Sequence, residues 1–209
     1  MTCILSKMDC NVNVERMQYK KAKEYILTRM QNELPRKNTY HSLAHTNDVM
    51  HAAKMLAAEE GVDADDLILL KTAAAYHDSG FIVNGKNHES ESCKIARAVL
   101  PEFEYTAEHI EIICGIIMAT KIPQNPNTHL EQIICDADLD YLGRDDYESI
   151  SNLLLKEMQT ERNISQREWL DIQIRFMKSH TYYTASAQKK RKEKKHLNLQ
   201  KLEQEYMNI

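Results

Sequence analysis

Apolar residues recur along most of the chain at spacings of three and four, and short polar stretches separate the apolar runs. This spacing places the apolar side chains on one face of an α-helix. We therefore predict an all-α fold, a bundle of about eight to nine helices packed around one core. The predicted helices span residues 14–33, 42–60, 64–78, 88–99, 106–119, 130–142, 145–161, 165–178 and 184–203.

The composition favours the same fold class. The 209 residues include only five Gly and four Pro, and 43% of the chain is hydrophobic. A sheet protein with its many turns is therefore less favoured than a helical one. No stretch rich in Pro, Gly and Ser interrupts the chain, so we predict a single domain over residues 1–209.

Charge and cysteine content bear on the partners and the compartment that we expect for the protein. A formal net charge of -4 provides no general attraction to nucleic acid or to anionic lipid. The five Cys include no C-x-x-C pair, which is typical of reduced thiols, and Cys114 and Cys135 lie in apolar stretches as core residues. Residues 1–13 lack the features of a signal peptide, and no run approaches the ~20 apolar residues of a membrane span. We predict a cytoplasmic protein.

A small set of His and Asp residues suggests a cation site. His77 and Asp78 end a long apolar run, His45 and Asp138 lie on other predicted helices, and His41 directly precedes the helix of His45. On a helix, His41 and His45 are one turn apart, and both would point toward the core. Imidazole nitrogens and carboxylate oxygens together suit a divalent metal and leave positions open for water. We predict that His45, His77, Asp78 and Asp138 bind such a metal.

The helical phase selects one carboxylate among three in the predicted helix 130–142. Asp138 follows the apolar stripe, whereas Asp136 and Asp140 are each two residues away, roughly 200 degrees round the helix. Burying unpaired carboxylates costs several kcal/mol, and a cation would remove that cost. The alternative is that Asp78 pairs with a Lys or Arg and that the histidines are ordinary core residues.

The same residues resemble a known signature. His45, the pair His77-Asp78, and Asp138 look like the H…HD…D pattern of the HD superfamily of metal-dependent phosphohydrolases. The resemblance covers about residues 40–183, which leaves 184–209 as a C-terminal polar helix. It implies an HD-type helical bundle and hydrolysis of a phosphoester, with a nucleotide as the favoured substrate.

Finer features resemble the cyclic-nucleotide phosphodiesterase branch of that superfamily. The segment YHSLAH at 40–45 is similar to the branch's Y-H-N-x-x-H segment, which implies that His41 is the general acid. The segment NHE at 87–89 resembles its N-H-H segment, which implies that His88 lies near the phosphate. We therefore expect His41, Asp78 and His88 to act in catalysis, with His88 as the substitute proton donor should His41 not fill that role.

Two further segments extend this resemblance to the substrate. The segment IMAT at 117–120 is similar to M-x-A-T, which implies that Thr120 holds a water at the metal. Gln173 and Phe176 have the spacing of the branch's purine clamp, although they could equally be helix surface and core. The chain also departs from the branch. It lacks the further Asp and His after His77-Asp78, and Lys121 replaces an acidic residue.

The metal and the partners stay broadly defined. Two His and two Asp accept Mn, Fe, Co, Ni, Zn and, less readily, Mg, and Asp78 could bridge to a second, weaker cation. The expected partner is a small-molecule phosphoester, with no membrane partner, and a homodimer stays open. One alternative is a non-catalytic ligand-binding or regulatory module that keeps the metal. Another is a nucleic-acid-binding protein that uses the basic run 189–195, which the acidic balance of the chain disfavours.

Overall fold

The structure is a computed structural model that describes residues 17–209. These residues form nine α-helices and no strand, so the predicted all-α fold is confirmed. The helices are α1 Tyr19–Glu33, α2 Leu43–Glu59, α3 Ala64–Tyr76, α4 His88–Val99, α5 Ala107–Ala119, α6 His129–Asp138, α7 Tyr147–Met158, α8 Gln166–Ser179 and α9 Ala185–Met207.

Side-chain caps set several of the helix starts. The side chains of Asp63, Thr106, Thr128, Ser165 and Thr184 each accept hydrogen bonds from backbone N–H groups in the first turn of the helix that follows. Such caps satisfy donors that have no partner within the helix. The polar breaks in the sequence therefore correspond to real helix boundaries.

Three expectations that affect the site were wrong. Helix α2 begins at Leu43, close to the predicted start, so His41 precedes the helix and does not lie one helical turn before His45 on it. Helix α3 ends at Tyr76 rather than at residue 78, so His77 and Asp78 follow it. Helix α6 ends at Asp138, and a separate 3-10 turn covers Asp140–Gly143. The predicted start of the first helix at residue 14 lies outside the described residues.

The interior contains two apolar clusters. The larger one joins α1 to α6 around residues such as Ile26, Leu70 and Ile133, all of which are fully buried. The smaller one joins α7, α8 and α9 and includes Leu142 and Met177. Residues of the smaller cluster, Leu142 among them, also line a cavity that includes His41 and Asp78.

The turn after α3 is held tightly against α4. A Cβ atom on Gly80 would lie 1.9 Å from the carbonyl oxygen of His88, so only glycine permits this approach. The Ser92 hydroxyl accepts a hydrogen bond from the Gly80 N–H at 2.8 Å and donates one to the His77 carbonyl at 2.6 Å. These contacts fix the backbone that bears His77 and Asp78.

The basic run 189–195 lies in α9 and packs against the rest of the protein. Arg191 forms two hydrogen bonds with the buried carboxylate of Asp140, at 2.7 and 2.9 Å. Ion pairs also join Lys190 to Glu59 and Lys194 to Asp145. Much of the run is therefore neutralised within the protein, which further weakens the case for a nucleic-acid surface.

The described cysteines are all buried free thiols, namely Cys93, Cys114 and Cys135. Cys114 and Cys135 therefore are core residues, as predicted, while Cys3 and Cys10 lie outside the described residues. Within residues 17–209, no helix combines the length and the apolar character that crossing a membrane requires.

Candidate metal centre

Four side chains at three helix ends lie close together, and the donor atoms of three of them, His45, His77 and Asp138, are all within 4.8 Å of one another. The Nε2 atom of His45 lies 3.0 Å from Oδ1 of Asp138 and 3.5 Å from Oδ2 of Asp78. The Nε2 atom of His77 lies 3.6 Å from the same Asp138 oxygen and 3.3 Å from the same Asp78 oxygen. Each imidazole therefore faces both carboxylates.

This donor spacing fits a first-row divalent cation. Ligand bonds of about 2.0–2.2 Å place neighbouring donors about 3.0 Å apart in an octahedron and about 3.4 Å apart in a tetrahedron. The four distances between an imidazole Nε2 and a carboxylate oxygen run from 3.0 to 3.6 Å. The donor set of two imidazoles and two carboxylates is also one that such cations accept.

Unpartnered atoms point to the same conclusion. Among the described residues, Nε2 of His77 and Oδ2 of Asp78 are buried and have no hydrogen-bond partner. The other ring nitrogen of His77, Nδ1, lies 2.9 Å from the Ala74 carbonyl oxygen and donates to it. In the neutral ring this bond leaves the Nε2 lone pair directed at the cluster, as metal-binding histidines usually are.

The charges of the cluster favour a positive charge at this position. Burial opposes the charged imidazole, but Asp78 and Asp138 outweigh it and raise the pKa of His77 well above its ordinary value. Burial also opposes the two carboxylates, yet the nearby histidines hold the pKa of Asp78 and of Asp138 well below the usual range. In the absence of a cation, a proton on His77 therefore balances part of the negative charge.

The three acidic residues near the end of α6 have different surroundings. Only Asp138 faces the two imidazoles. Asp136 is fully buried and accepts hydrogen bonds from the Tyr183 N–H and the Thr184 N–H, both at 2.8 Å. Asp140 is also buried, against Arg191. The phase argument separated Asp138 from its neighbours, but it did not foresee that those neighbours are buried on another side.

His41 lies beside the cluster and is held by a residue that the sequence did not single out. Its Nδ1 lies 2.5 Å from Oε1 of Glu157, and the other oxygen of Glu157 accepts from the N–H groups of Tyr40 and His41 at 2.9 and 3.0 Å. Burial opposes the protonated ring, but Glu157 and the two cluster carboxylates raise the pKa of His41. Glu157 lies on α7, far away in sequence, and no local motif marks it.

His88 faces the other carboxylate oxygen of Asp78, the one that does not face His45 and His77. Its Nε2 is 3.5 Å from Oδ1 of Asp78 and 3.5 Å from Oε1 of Glu89. The ring of Phe81 stacks on both His41 and His88, with centroid distances of 4.1 and 4.2 Å. The structure thus places the rings of His41 and His88 with their centroids 5.7 Å apart, and His88 next to Asp78.

The cluster opens into a cavity of about 390 Å³. Its lining combines Asp78, Asp138 and other polar side chains with aromatic and aliphatic ones. Residues that line it include His41, Asp78, Lys86, His88, Glu89, Thr120, Lys121, Asp138, Tyr141, Tyr147, Trp169, Gln173 and Phe176. A cavity of this kind, apolar with a few convergent polar groups, is typical of a small-molecule site.

The three predicted substrate residues all line this cavity. The Thr120 hydroxyl donates to the Ile117 carbonyl at 2.8 Å, so toward the cavity its oxygen can only accept. Gln173 is buried, and its Oε1 accepts from the Tyr147 hydroxyl at 2.7 Å. That bond leaves the Gln173 amide N–H groups free to donate. Phe176 forms part of the apolar wall.

Comparison with known proteins identifies the region that contains the cluster. The profile of the family described as HD domain matches residues 42–140, which include all four converging side chains. A protein of Clostridium beijerinckii, described as an uncharacterized protein, is 33% identical over 110 residues, which cover 50% of this chain and 69% of that protein. No solved structure matches the chain.

Proposed function

Because the chain belongs to the HD domain family, we propose that it is a divalent-metal-dependent phosphohydrolase acting on a phosphoester of a nucleotide. The observation that most strongly supports this proposal is the grouping of His45, His77, Asp78 and Asp138, two of which, Asp78 and Asp138, line a cavity. Two buried atoms of that group, one on His77 and one on Asp78, have no other partner.

The four converging side chains would hold the cation. When bound there, a divalent cation lowers the pKa of water and offsets negative charge that develops on the phosphoryl group. Asp78 also turns Oδ1 toward Nε2 of His88, which in turn lies 3.5 Å from Oε1 of Glu89, so His88 and Glu89 are the donors that a second, weaker cation would use. Mn, Fe, Co, Ni, Zn and Mg all stay possible as the first ion.

His41 is the proposed general acid. Glu157 accepts the Nδ1 proton of its ring, which leaves Nε2 to donate a proton to the departing oxygen. The raised pKa of His41 keeps the ring protonated to higher pH than a free imidazole. Glu157 also holds the backbone of residues 40 and 41, so it orients the acid as well as charging it.

The apolar end of the cavity would accept the base of the nucleotide. Gln173 presents N–H donors there because Tyr147 occupies its oxygen, and Phe176 and Trp169 supply apolar surface. Donors fixed in a buried wall discriminate between bases by the acceptors that each base presents. A cyclic nucleotide is the substrate that the finer sequence resemblance favours.

The test is turnover against a panel of substrates with each metal added in turn. Metal-stripped protein receives Mn, Fe, Co, Ni, Zn or Mg and is assayed on cyclic nucleotides, nucleoside mono- and diphosphates and bis(p-nitrophenyl) phosphate. We expect metal-dependent hydrolysis that the Asp138→Asn variant lacks. Tight metal binding without turnover of any substrate would instead support a non-catalytic HD module.

A further inference from the structure

Two exposed lysines line the cavity that contains Asp78 and Asp138. Lys86 comes from the turn before α4, and Lys121 lies two residues after the end of α5. Neither ammonium group lies within ion-pair distance of a carboxylate in the described part of the chain, although many other lysines there do. Lys121 also stands where the phosphodiesterase branch was noted above to have an acidic residue.

The packing of α4 on α5 brings the two lysines to the same end of the helix pair. The Cys93 thiol contacts the Cys114 carbonyl at 3.6 Å, and one turn later Arg97 pairs with Glu111 at 2.8 Å. These contacts show that the two helices run antiparallel. Lys86 lies two residues before the start of α4 and Lys121 two residues after the end of α5, so both lie at the same end of this antiparallel pair.

The backbone on both sides of the cavity mouth is anchored. The N–H of Lys86 donates to the Asn84 side chain at 3.0 Å, and His88 bonds the Gly85 carbonyl at 3.1 Å. The N–H of Lys121 donates to the Met118 carbonyl at 3.2 Å. The starting points of the two side chains are therefore fixed relative to the site, while their ends are free to meet a ligand.

The lysines also make the cavity lining more positive. The other charged side chains there are the carboxylates of Asp78, Glu89 and Asp138 and, when protonated as the general acid, His41. With one divalent cation bound, these groups would leave the lining with a net charge of about 0, and the lysines change it to about +2. A phosphoryl group at the metal centre already faces the cation and His41, so the lysines are available for another anion.

We propose that Lys86 and Lys121 bind a second phosphoryl group of the substrate, separate from the one that is hydrolysed. The proposal rests on the proposed function and narrows its substrate class to nucleotides with at least two phosphoryl groups, which sets aside the cyclic mononucleotide that the finer sequence resemblance favours. Both a diphosphate chain and a bisphosphate with groups at two positions of the sugar present this chemistry.

The kinetic test compares substrates that differ in phosphoryl number. Lys86→Gln and Lys121→Gln are assayed on AMP, ADP and adenosine 3′,5′-bisphosphate, with Lys54→Gln as the matched control at an exposed position of α2 outside the cavity. We expect each cavity variant to lower kcat/KM about 10-fold, through KM, for at least one substrate with two phosphoryl groups. AMP turnover and the control should change less than about twofold.

Equal losses on AMP would mean that the lysines serve the hydrolysed phosphoryl group, and this result would overturn the proposal. No loss on any substrate would also overturn it. Comparing the loss of kcat/KM in the lysine variants for ADP with the loss for the bisphosphate identifies which arrangement of phosphoryl groups the lysines bind.

A binding measurement separates this proposal from the proposed function. Calorimetry on the metal-loaded protein compares AMP with α,β-methylene-ADP, which resists hydrolysis, and with adenosine 3′,5′-bisphosphate. We expect at least one ligand with two phosphoryl groups to bind about 10-fold more tightly than AMP, and each lysine variant to remove this preference. If the wild type shows the preference but hydrolyses nothing, the proposed function fails and the lysine site stands. Equal binding of all three ligands would refute the lysine site alone.

Discussion

Replacing Asp138 by Asn should abolish cation binding, whereas the same replacement at Asp136 should lower stability and leave cation binding intact. The two residues lie two positions apart near the end of α6, so the comparison changes the same atoms in nearly the same place. Asp138 faces His45 and His77, while Asp136 faces only the chain that leads into α9.

The contacts set the size of each effect. Asp136 accepts from the Tyr183 N–H and the Thr184 N–H at 2.8 Å and from the Thr184 hydroxyl at 2.7 Å. An Asn can accept only through one oxygen, so at least one buried donor loses its partner, at a cost of about 1–3 kcal/mol. Burial raises the pKa of Asp136 despite these hydrogen bonds, so the neutral Asn avoids part of the desolvation cost. The expected fall in Tm is about 2–10 °C for a chain of this size.

The cation effect has a comparable size and is measured separately. A cation at 100 times its Kd stabilises the folded state by about 2.7 kcal/mol, which corresponds to a rise in Tm of about 5–11 °C. Wild type and Asp136→Asn should both show this rise on addition of Mn or Zn, and Asp138→Asn should show none. Bound metal after dialysis, measured by elemental analysis, checks the same result directly.

The opposite pattern would refute the assignment of the ligands. If Asp136→Asn loses the cation-dependent rise while Asp138→Asn retains it, the convergence of the four side chains does not represent a metal centre. Should Asp136→Asn fail to fold, Thr184→Ala removes one of the same hydrogen bonds more gently. That variant should be less stable than wild type and should still bind the cation.

Three further results are expected. His41→Ala should keep its metal and lower kcat by about 10² to 10⁴ on a substrate with a poor leaving group, but much less on a p-nitrophenyl ester; equal losses on both would remove His41 as the acid and favour His88. Glu157→Gln should lower the pKa of His41 and move the basic limb of the kcat profile to lower pH, and an unmoved limb would contradict this role. Cation binding should displace the proton on His77, so affinity should rise with pH through neutrality; pH-independent affinity between about 6 and 8 would contradict it.

Most of the helices could be predicted from the sequence because a helix requires a local, periodic pattern of apolar residues. Each apolar stripe has to face the core, and the caps that begin the helices are short-range features as well. Helix α4, for example, runs over His88–Val99, as its pattern predicted. The end of a helix is harder to predict, since the last turn can continue as a 3-10 turn with little change in the apolar spacing. This is why α6 was predicted to extend beyond Asp138.

The partners of the site residues could not be predicted in the same way. Glu157 binds His41 across more than a hundred residues, and Tyr147 orients Gln173 from another helix. Nothing in the local sequence of either partner distinguishes it from an ordinary helix position. Such pairs depend on how α7 packs against the rest of the protein, and that packing follows from tertiary structure.

The position of the candidate ligands at helix ends explains why the chemistry was easier to recognise than the geometry. His77 and Asp78 directly follow α3, His45 lies in the first turn of α2, and Asp138 ends α6. Within a helix, adjacent residues point about 100 degrees apart and could hardly face one cation together. Where α3 gives way to the turn that Gly80 permits, two consecutive side chains can do so. The His-Asp pair is therefore informative as a motif because it marks the place where the helical period stops.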